Sequence, residues 1–132
     1  MARNLLEAIK YFVPLVNREI GREDCNEFSV TYFTALIGTA FFDYGEDWYL
    51  CALPCPNPWG DMTLCVVSFW ICPAKRNNPL YLRRILRKLR VFAKISGARY
   101  IEIGSHINNK LHDFFIRLGY EVSAVKGVVK WE

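Results

Sequence analysis

Apolar residues recur at helical spacing in the first segment, NLLEAIKYFVPLVNREIG. Leu5, Ile9, Phe12 and Val16 line one face, with Leu6 and Val13 beside them. Pro14 lacks a backbone donor and is expected to kink or divide this helix. A second short helix is predicted over CNEFSVTYFTALIG, with Phe28, Tyr32, Phe33 and Leu36 as its apolar positions and Gly38 closing it. β-Branched Val30, Thr31 and Thr34 count against it. From residue 39 the pattern becomes strand-like. TAFFDYGED reads as a strand ending in a turn, and WYLCALPCP as another. Pro54, Pro56, Pro58 and Gly60 crowd the next stretch, so PCPNPWGD is a turn or loop. MTLCVVSFWIC is β-branched and aromatic throughout, the pattern of a central strand buried on both faces.

PLYLRRILRKLRVFAKISGA carries the most regular helical pattern. Leu82, Ile85, Leu86, Leu89, Phe92 and Ala93 form a continuous apolar stripe, and arginines and lysines take the remaining surface. Pro79 suits the first turn and Gly97 the C-terminal cap. RYIEIG follows as a strand. NNKLHDFFIRLGY is a short helix capped by Asn108 or Asn109, with Gly119 beyond its end, and EVSAVKGVVKWE closes the chain as one strand or two. The order is α–α–β–β–β–α–β–α–β, a mixed α/β domain with a central sheet flanked by helices.

The chain has 132 residues, enough for a single domain over 1–132 and one real core. A hydrophobic content of 52% with 15% aromatics excludes intrinsic disorder. No window is long and apolar enough for a membrane span, so no membrane partner is expected. The opening residues do not read as a signal peptide, and the expected setting is a cytoplasm, or an assembly built in one. Cys25, Cys51, Cys55, Cys65 and Cys72 include no CxxC spacing, and His106 and His112 stand far from them. No zinc template fits, and no metal site is expected. The cysteines read as small apolar fillers, with a Cys51/Cys55 redox or metal pair as the alternative.

Charge divides the chain sharply. Residues 1–61 hold 4 basic and 9 acidic side chains, and residues 62–132 hold 13 basic and 4 acidic. Between Asp61 and Glu102 there is no acidic residue and there are nine basic ones. Such a half favours phosphates, nucleic acid or an acidic protein surface, without selecting among them.

The strand RYIEIGS, then Asn108, then a helix ending in RLGY resembles the GNAT superfamily of N-acetyltransferases. MTLCVVSFWICP leading through a basic loop into an amphipathic helix is similar to that family's central strand and cofactor-binding helix. The resemblance covers about half the chain, residues 62–122; the N-terminal half agrees in element order. It implies that MTLCVVSFWIC and RYIEIGS run parallel and splay apart, exposing backbone amides at Phe69, Trp70 and Ile71 to the pantetheine arm of acetyl-CoA. The pyrophosphate would meet residues 76–81, with Arg76, Asn77 and Asn78 lining an anion site, Arg83 and Arg84 further along, and Asn108 at the end of the second strand. Glu102 is the candidate general base and Tyr120 a substitute general acid. An ion pair with Arg99, or with an arginine of the basic helix, is the alternative role for Glu102.

Two positions depart from that family's pattern. Asn77, Pro79 and Tyr81 stand where glycines usually let the backbone approach the anion. Phe115 stands where many members place the tyrosine that protonates the leaving thiolate. Three functional classes remain open. They are an acyl-CoA-dependent N-acetyltransferase with an altered phosphate loop, a non-catalytic protein on the same fold acting in an assembly or as an inhibitor, and a nucleic-acid-binding module using the basic helix over 79–96. Small size and a worn loop are also similar to compact members encoded by bacteriophages, some of them virion components.

Overall fold

In the computed structural model, which describes residues 2–103, the chain opens with helix α1, Leu5–Glu19. Asn4 caps it, its Oδ1 accepting from the Glu7 amide at 2.9 Å while its Nδ2 donates to Glu7 Oε1 at 2.7 Å. Pro14 lies inside α1 and does not divide it. Its missing donor breaks one backbone bond, but Ala8, Ile9, Phe12, Val13 and Asn17 are buried on one face, on both sides of the proline. That packing holds the helix through the defect.

Helix α2, Asn26–Ala35, lies against α1. Its orientation differs from the expected one. Val30, Phe33 and Leu36 pack on the core, whereas Phe28 and Tyr32 are exposed. The rotation follows from a polar tie: the buried Asn17 Nδ2 donates to Asn26 Oδ1 and to Ser29 Oγ, each at 3.0 Å. Those bonds turn Asn26, Ser29, Val30 and Phe33 inward, and the apolar pattern of a weakly amphipathic segment yields to them.

Strands β1 (Phe41–Tyr44), β2 (Trp48–Pro56) and β3 (Met62–Ile71) form an antiparallel meander. The β1–β2 turn needs glycine at position 45, because a Cβ there would lie 2.4 Å from Trp48 Nε1. The β2–β3 turn is organised by Asn57, whose Oδ1 accepts from the amides of Trp59 and Asp61 at 3.0 and 2.9 Å. Trp59 projects into solvent there, 84% exposed.

Helix α3, Pro79–Ser96, follows β3, with Asn78 as N-cap, Pro79 in the first turn and Gly97 in the left-handed conformation as C-cap. It returns the chain to β4, Tyr100–Ile103, which pairs parallel with β3. The parallel arrangement expected of these two strands is therefore present, and the sheet order is β1-β2-β3-β4.

Each sheet face carries its own core. On one, Leu50, Ala52, Leu64 and Ile71 meet Ile85, Leu86, Leu89 and Phe92 of α3. On the other, Tyr49, Cys51 and Trp70 meet Ala8, Ile9, Phe12 and Val13 of α1. The mixed α/β layering expected from the pattern is present. No described helix is long and apolar enough to cross a membrane. The helix expected after Asn108 and the closing strands, with His106, His112, Phe115, Gly119, Tyr120 and Trp131, lie outside the described residues.

Candidate functional site

Phe69, Trp70, Ile71, Arg76, Asn77 and Asn78 gather around the C-terminal end of β3 and the start of α3, with Arg83 and Arg84 further along that helix, whereas Glu102 lies apart from them in β4. The ladder between β3 and β4 runs from Thr63–Tyr100 to Val66–Ile103, and β3 continues through Val67–Ile71. Strand alternation sends Phe69 and Ile71 into the core under α3 and Trp70 into the core under α1. These three therefore offer backbone rather than side chains to anything lying along the strand.

The turn Pro73–Lys75 leads to Arg76. Its Nε donates to the Ile71 carbonyl at 2.8 Å, and its Nη2 forms a short ion pair with Glu19 Oε1. The same carboxylate oxygen accepts from Trp70 Nε1 at 3.3 Å. One acid at the end of α1 thus grips the strand and the loop after it. Glu19 sits where the negative end of the helix dipole disfavours a carboxylate, so its place is secured by these partners.

The first amides of α3 are spoken for. Pro79 has no N–H. The Leu80 amide donates to Asn78 Oδ1 at 3.1 Å, and the Tyr81 amide to the Asn78 carbonyl at 3.3 Å. Asn78 is thus engaged as a cap, while Asn77, Arg83 and Arg84 are exposed. An anion at this helix end would meet cationic side chains rather than a cradle of backbone donors.

Glu102 lies opposite Cys65 in the β3–β4 register. Ile101 and Ile103 pack toward α3, so Glu102 and Tyr100 share the opposite sheet face, both exposed. That placement follows the alternation read from the sequence. Arg99, one of the partners offered for Glu102, pairs with Asp61 at 3.2 Å.

Three buried or half-buried groups flank the site. Burial, and secondarily Cys51, push the Tyr49 phenol well above its ordinary value. Its hydroxyl is fully enclosed and has no hydrogen-bond partner among the described residues. Burial pushes the Cys51 thiol up to about 12, which makes it a poor nucleophile. None of the five cysteines, all among the described residues, is joined in a disulfide. Burial also raises the Asp43 carboxyl above its ordinary value, against the pull of Lys88 and Arg84.

Sequence reasoning named Arg76, Asn78 and Glu102 but missed Glu19, Asn17 and Asp43. An acid in the last turn of a helix was the available signal for Glu19, since it opposes the dipole without a local reason. Asn17 was legible as a polar residue interrupting an apolar face.

No family model and no curated protein matches the sequence. Solved structures do match the fold. A probable acetyltransferase superposes with a TM-score of 0.76 at 10% identity, over 100% of this chain and 96% of that one. An aminoglycoside acetyltransferase from an uncultured soil metagenomic sample gives 0.72 at 12% identity, over 100% and 95%. A ribosomal-protein-alanine N-acetyltransferase from Brucella melitensis biovar Abortus gives 0.71 at 11% identity, over 96% and 95%. The chain has the fold of the GNAT acetyltransferases.

Proposed function

We propose that the chain is an acyl-CoA-dependent N-acetyltransferase-like protein whose phosphate loop is degenerate, so that it binds cofactor weakly and turns over slowly. The observation that carries this reading is the layout of β3, α3 and β4. Two parallel strands are joined by a helix that begins at the C-terminal end of the first, which is where open α/β sheets bind ligands.

The cofactor would supply an activated acyl thioester. Arg76, released from Glu19, and Arg83 and Arg84 would hold its phosphates, in place of the backbone donors that Pro79 and the Asn78 cap withdraw. The backbone of Phe69, Trp70 and Ile71 would flank the pantetheine arm. Glu102 would take the proton from an acceptor amine, and Tyr120 would protonate the departing thiolate. General acid–base help is typically worth about 10²–10⁴ in rate, so Phe115 at the family's usual tyrosine position slows transfer without forbidding it.

A second reading is favoured by the Glu19–Arg76 pair. A loop whose cation is neutralised from within suits a non-catalytic member of the fold, used in an assembly such as a phage virion or as an inhibitor.

Coenzyme A titration by calorimetry and thermal shift tests the proposal. Ligand at about 100 times its dissociation constant adds roughly 2.7 kcal/mol of apparent stability. Binding in the high-micromolar to millimolar range is expected, weakened by Arg76→Ala and tightened several-fold by Glu19→Gln. No heat and no shift at millimolar coenzyme A, in wild type and in Glu19→Gln alike, overturns the cofactor reading in favour of the non-catalytic one.

A further inference from the structure

Helix α3 turns one half of its circumference to the sheet and the other to solvent. At 100° per residue, Ile85, Leu86, Leu89 and Phe92 centre the buried half. Arg83, Arg87, Arg90 and Lys94, spaced four, three and four residues apart, fall in a single narrow stripe near the middle of the exposed half. The stripe is about 16 Å long at 1.5 Å per residue.

Two features separate it from an ordinary solvated face. The first concerns its neighbours. Asp43 acts on Lys88 and Arg84, which lie to one side of the helix. No described carboxylate pairs with Arg83, Arg87 or Lys94. Solubility calls for both signs interspersed, and here a single sign runs for three turns. The second concerns the rest of the molecule. The opposite side of the sheet is covered by α1 and α2, whose segments carry five acids and four bases over residues 3–35, with Glu23 and Asp24 paired to Arg18 and Arg22. Net positive charge is thus concentrated on the α3 side, and a polyanion's field would orient the protein with α3 leading.

We infer that the outer face of α3 docks on the phosphate backbone of a nucleic acid, without reading base sequence. Arginine and lysine supply what phosphates require, and with no Asn, Gln, Ser or Thr in the stripe guanine is the only base whose edge it is equipped to address. A polymer with one negative charge per about 1.7 Å of duplex axis matches a straight row of cations better than scattered carboxylates do. This surface runs along the helix beyond the loop at Arg76, shares only Arg83 with the proposed cofactor site, and does not depend on the cofactor reading.

The test uses the full chain and a fluorescein-labelled 20-base-pair DNA duplex of arbitrary sequence, followed by anisotropy across salt. Binding is expected in the micromolar range at low salt. The logarithm of the binding constant should fall against the logarithm of salt concentration with a slope of about −3, at about −0.9 per phosphate contacted. The double variant Arg87→Ala/Lys94→Ala, chosen away from the loop, should lower the magnitude of that slope by about 2 and weaken binding at least tenfold. Its unfolding midpoint and its response to coenzyme A should stay unchanged. A duplex of different sequence should bind alike. Absence of binding at 50 mM salt, or a double variant with wild-type slope, overturns the proposal. So does poly-L-glutamate of matched charge displacing the duplex at equal concentration, which would transfer the surface to acidic proteins.

Discussion

Where α3 covers the sheet, the contact is made by aliphatic side chains of one regular helix against Leu50, Ala52 and Leu64, with a single aromatic stack, Phe41 on Phe92 at 4.6 Å. Where α1 and α2 cover it, aromatic rings dominate. Phe12 stacks on Tyr49 at 5.7 Å and tilts against Trp70 at 5.7 Å, while Phe33 meets Tyr49 edge-on at 6.2 Å. That side is also stitched by polar bonds at Asn17 and Glu19. Aliphatic packing is set by the period of the helix alone. The aromatic and polar side depends on pairings between residues distant in sequence.

The largest expected effects probe those two cores directly. Phe12→Ala removes the ring shared by Tyr49 and Trp70 and should cost about 3–5 kcal/mol. Leu89→Ala on the other face should cost about 2–5 kcal/mol, toward the lower part because neighbouring aliphatics can close in. Chemical denaturation of both variants measures the difference. If Leu89→Ala proves the costlier, the aromatic side is the more adaptable of the two and the contrast is reversed.

That contrast also explains what was legible beforehand. The α3 stripe, Pro79 in its first turn and its Gly97 cap follow from local rules of period and capping, and the parallel β3–β4 pair from the strand–helix–strand order. Asn78, expected to line an anion site, serves as the N-cap. The inward face of α2 does not follow from such rules, because Phe28 and Tyr32 are more apolar than Asn26 and Ser29, yet Asn17 reaches the latter pair from nine and twelve residues away. In the candidate site the cations were visible as a run without acids. The carboxylate that neutralises Arg76 comes from 57 residues upstream, beyond any spacing rule.

Asn17→Ala should therefore destabilise by about 1–3 kcal/mol, since it leaves Asn26 and Ser29 without their buried donor. Its effect should appear first as loosening of α2, seen as faster amide exchange there than in α3. Uniform exchange in both helices would mean that the tie is redundant with the packing of Val30 and Phe33.

Tyr49→Phe works in the other direction. The Tyr49 hydroxyl is enclosed and, among the described residues, unpartnered, so deleting it removes a desolvation cost while keeping the ring stack on Phe12. A gain of about 1 kcal/mol is expected, from a range of about 1–3 kcal/mol for an unsatisfied buried polar group. A loss of stability would show that the hydroxyl has a partner in solution.

The smallest effect concerns Asp43, the half-buried acid of β1 beside Lys88 and Arg84. Burial raises its carboxyl above the unfolded value, so between those two values the folded state binds more protons than the unfolded one. Its contribution favours folding fully at pH below about 4, near the unfolded carboxyl. The contribution is lost as pH rises through the folded value. Asp43→Asn keeps the shape and removes the titration. The variant's stability relative to wild type should thus increase from pH 4 to pH 7, measured as the shift in denaturation midpoint. The attraction of Lys88 and Arg84 works against burial, and the net direction decides between them. If the relative stability of Asp43→Asn instead falls over that range, the two cations outweigh burial. Asp43 would then be a fixed counter-charge of the basic helix, a polar tie on a face that packs largely by aliphatic contact.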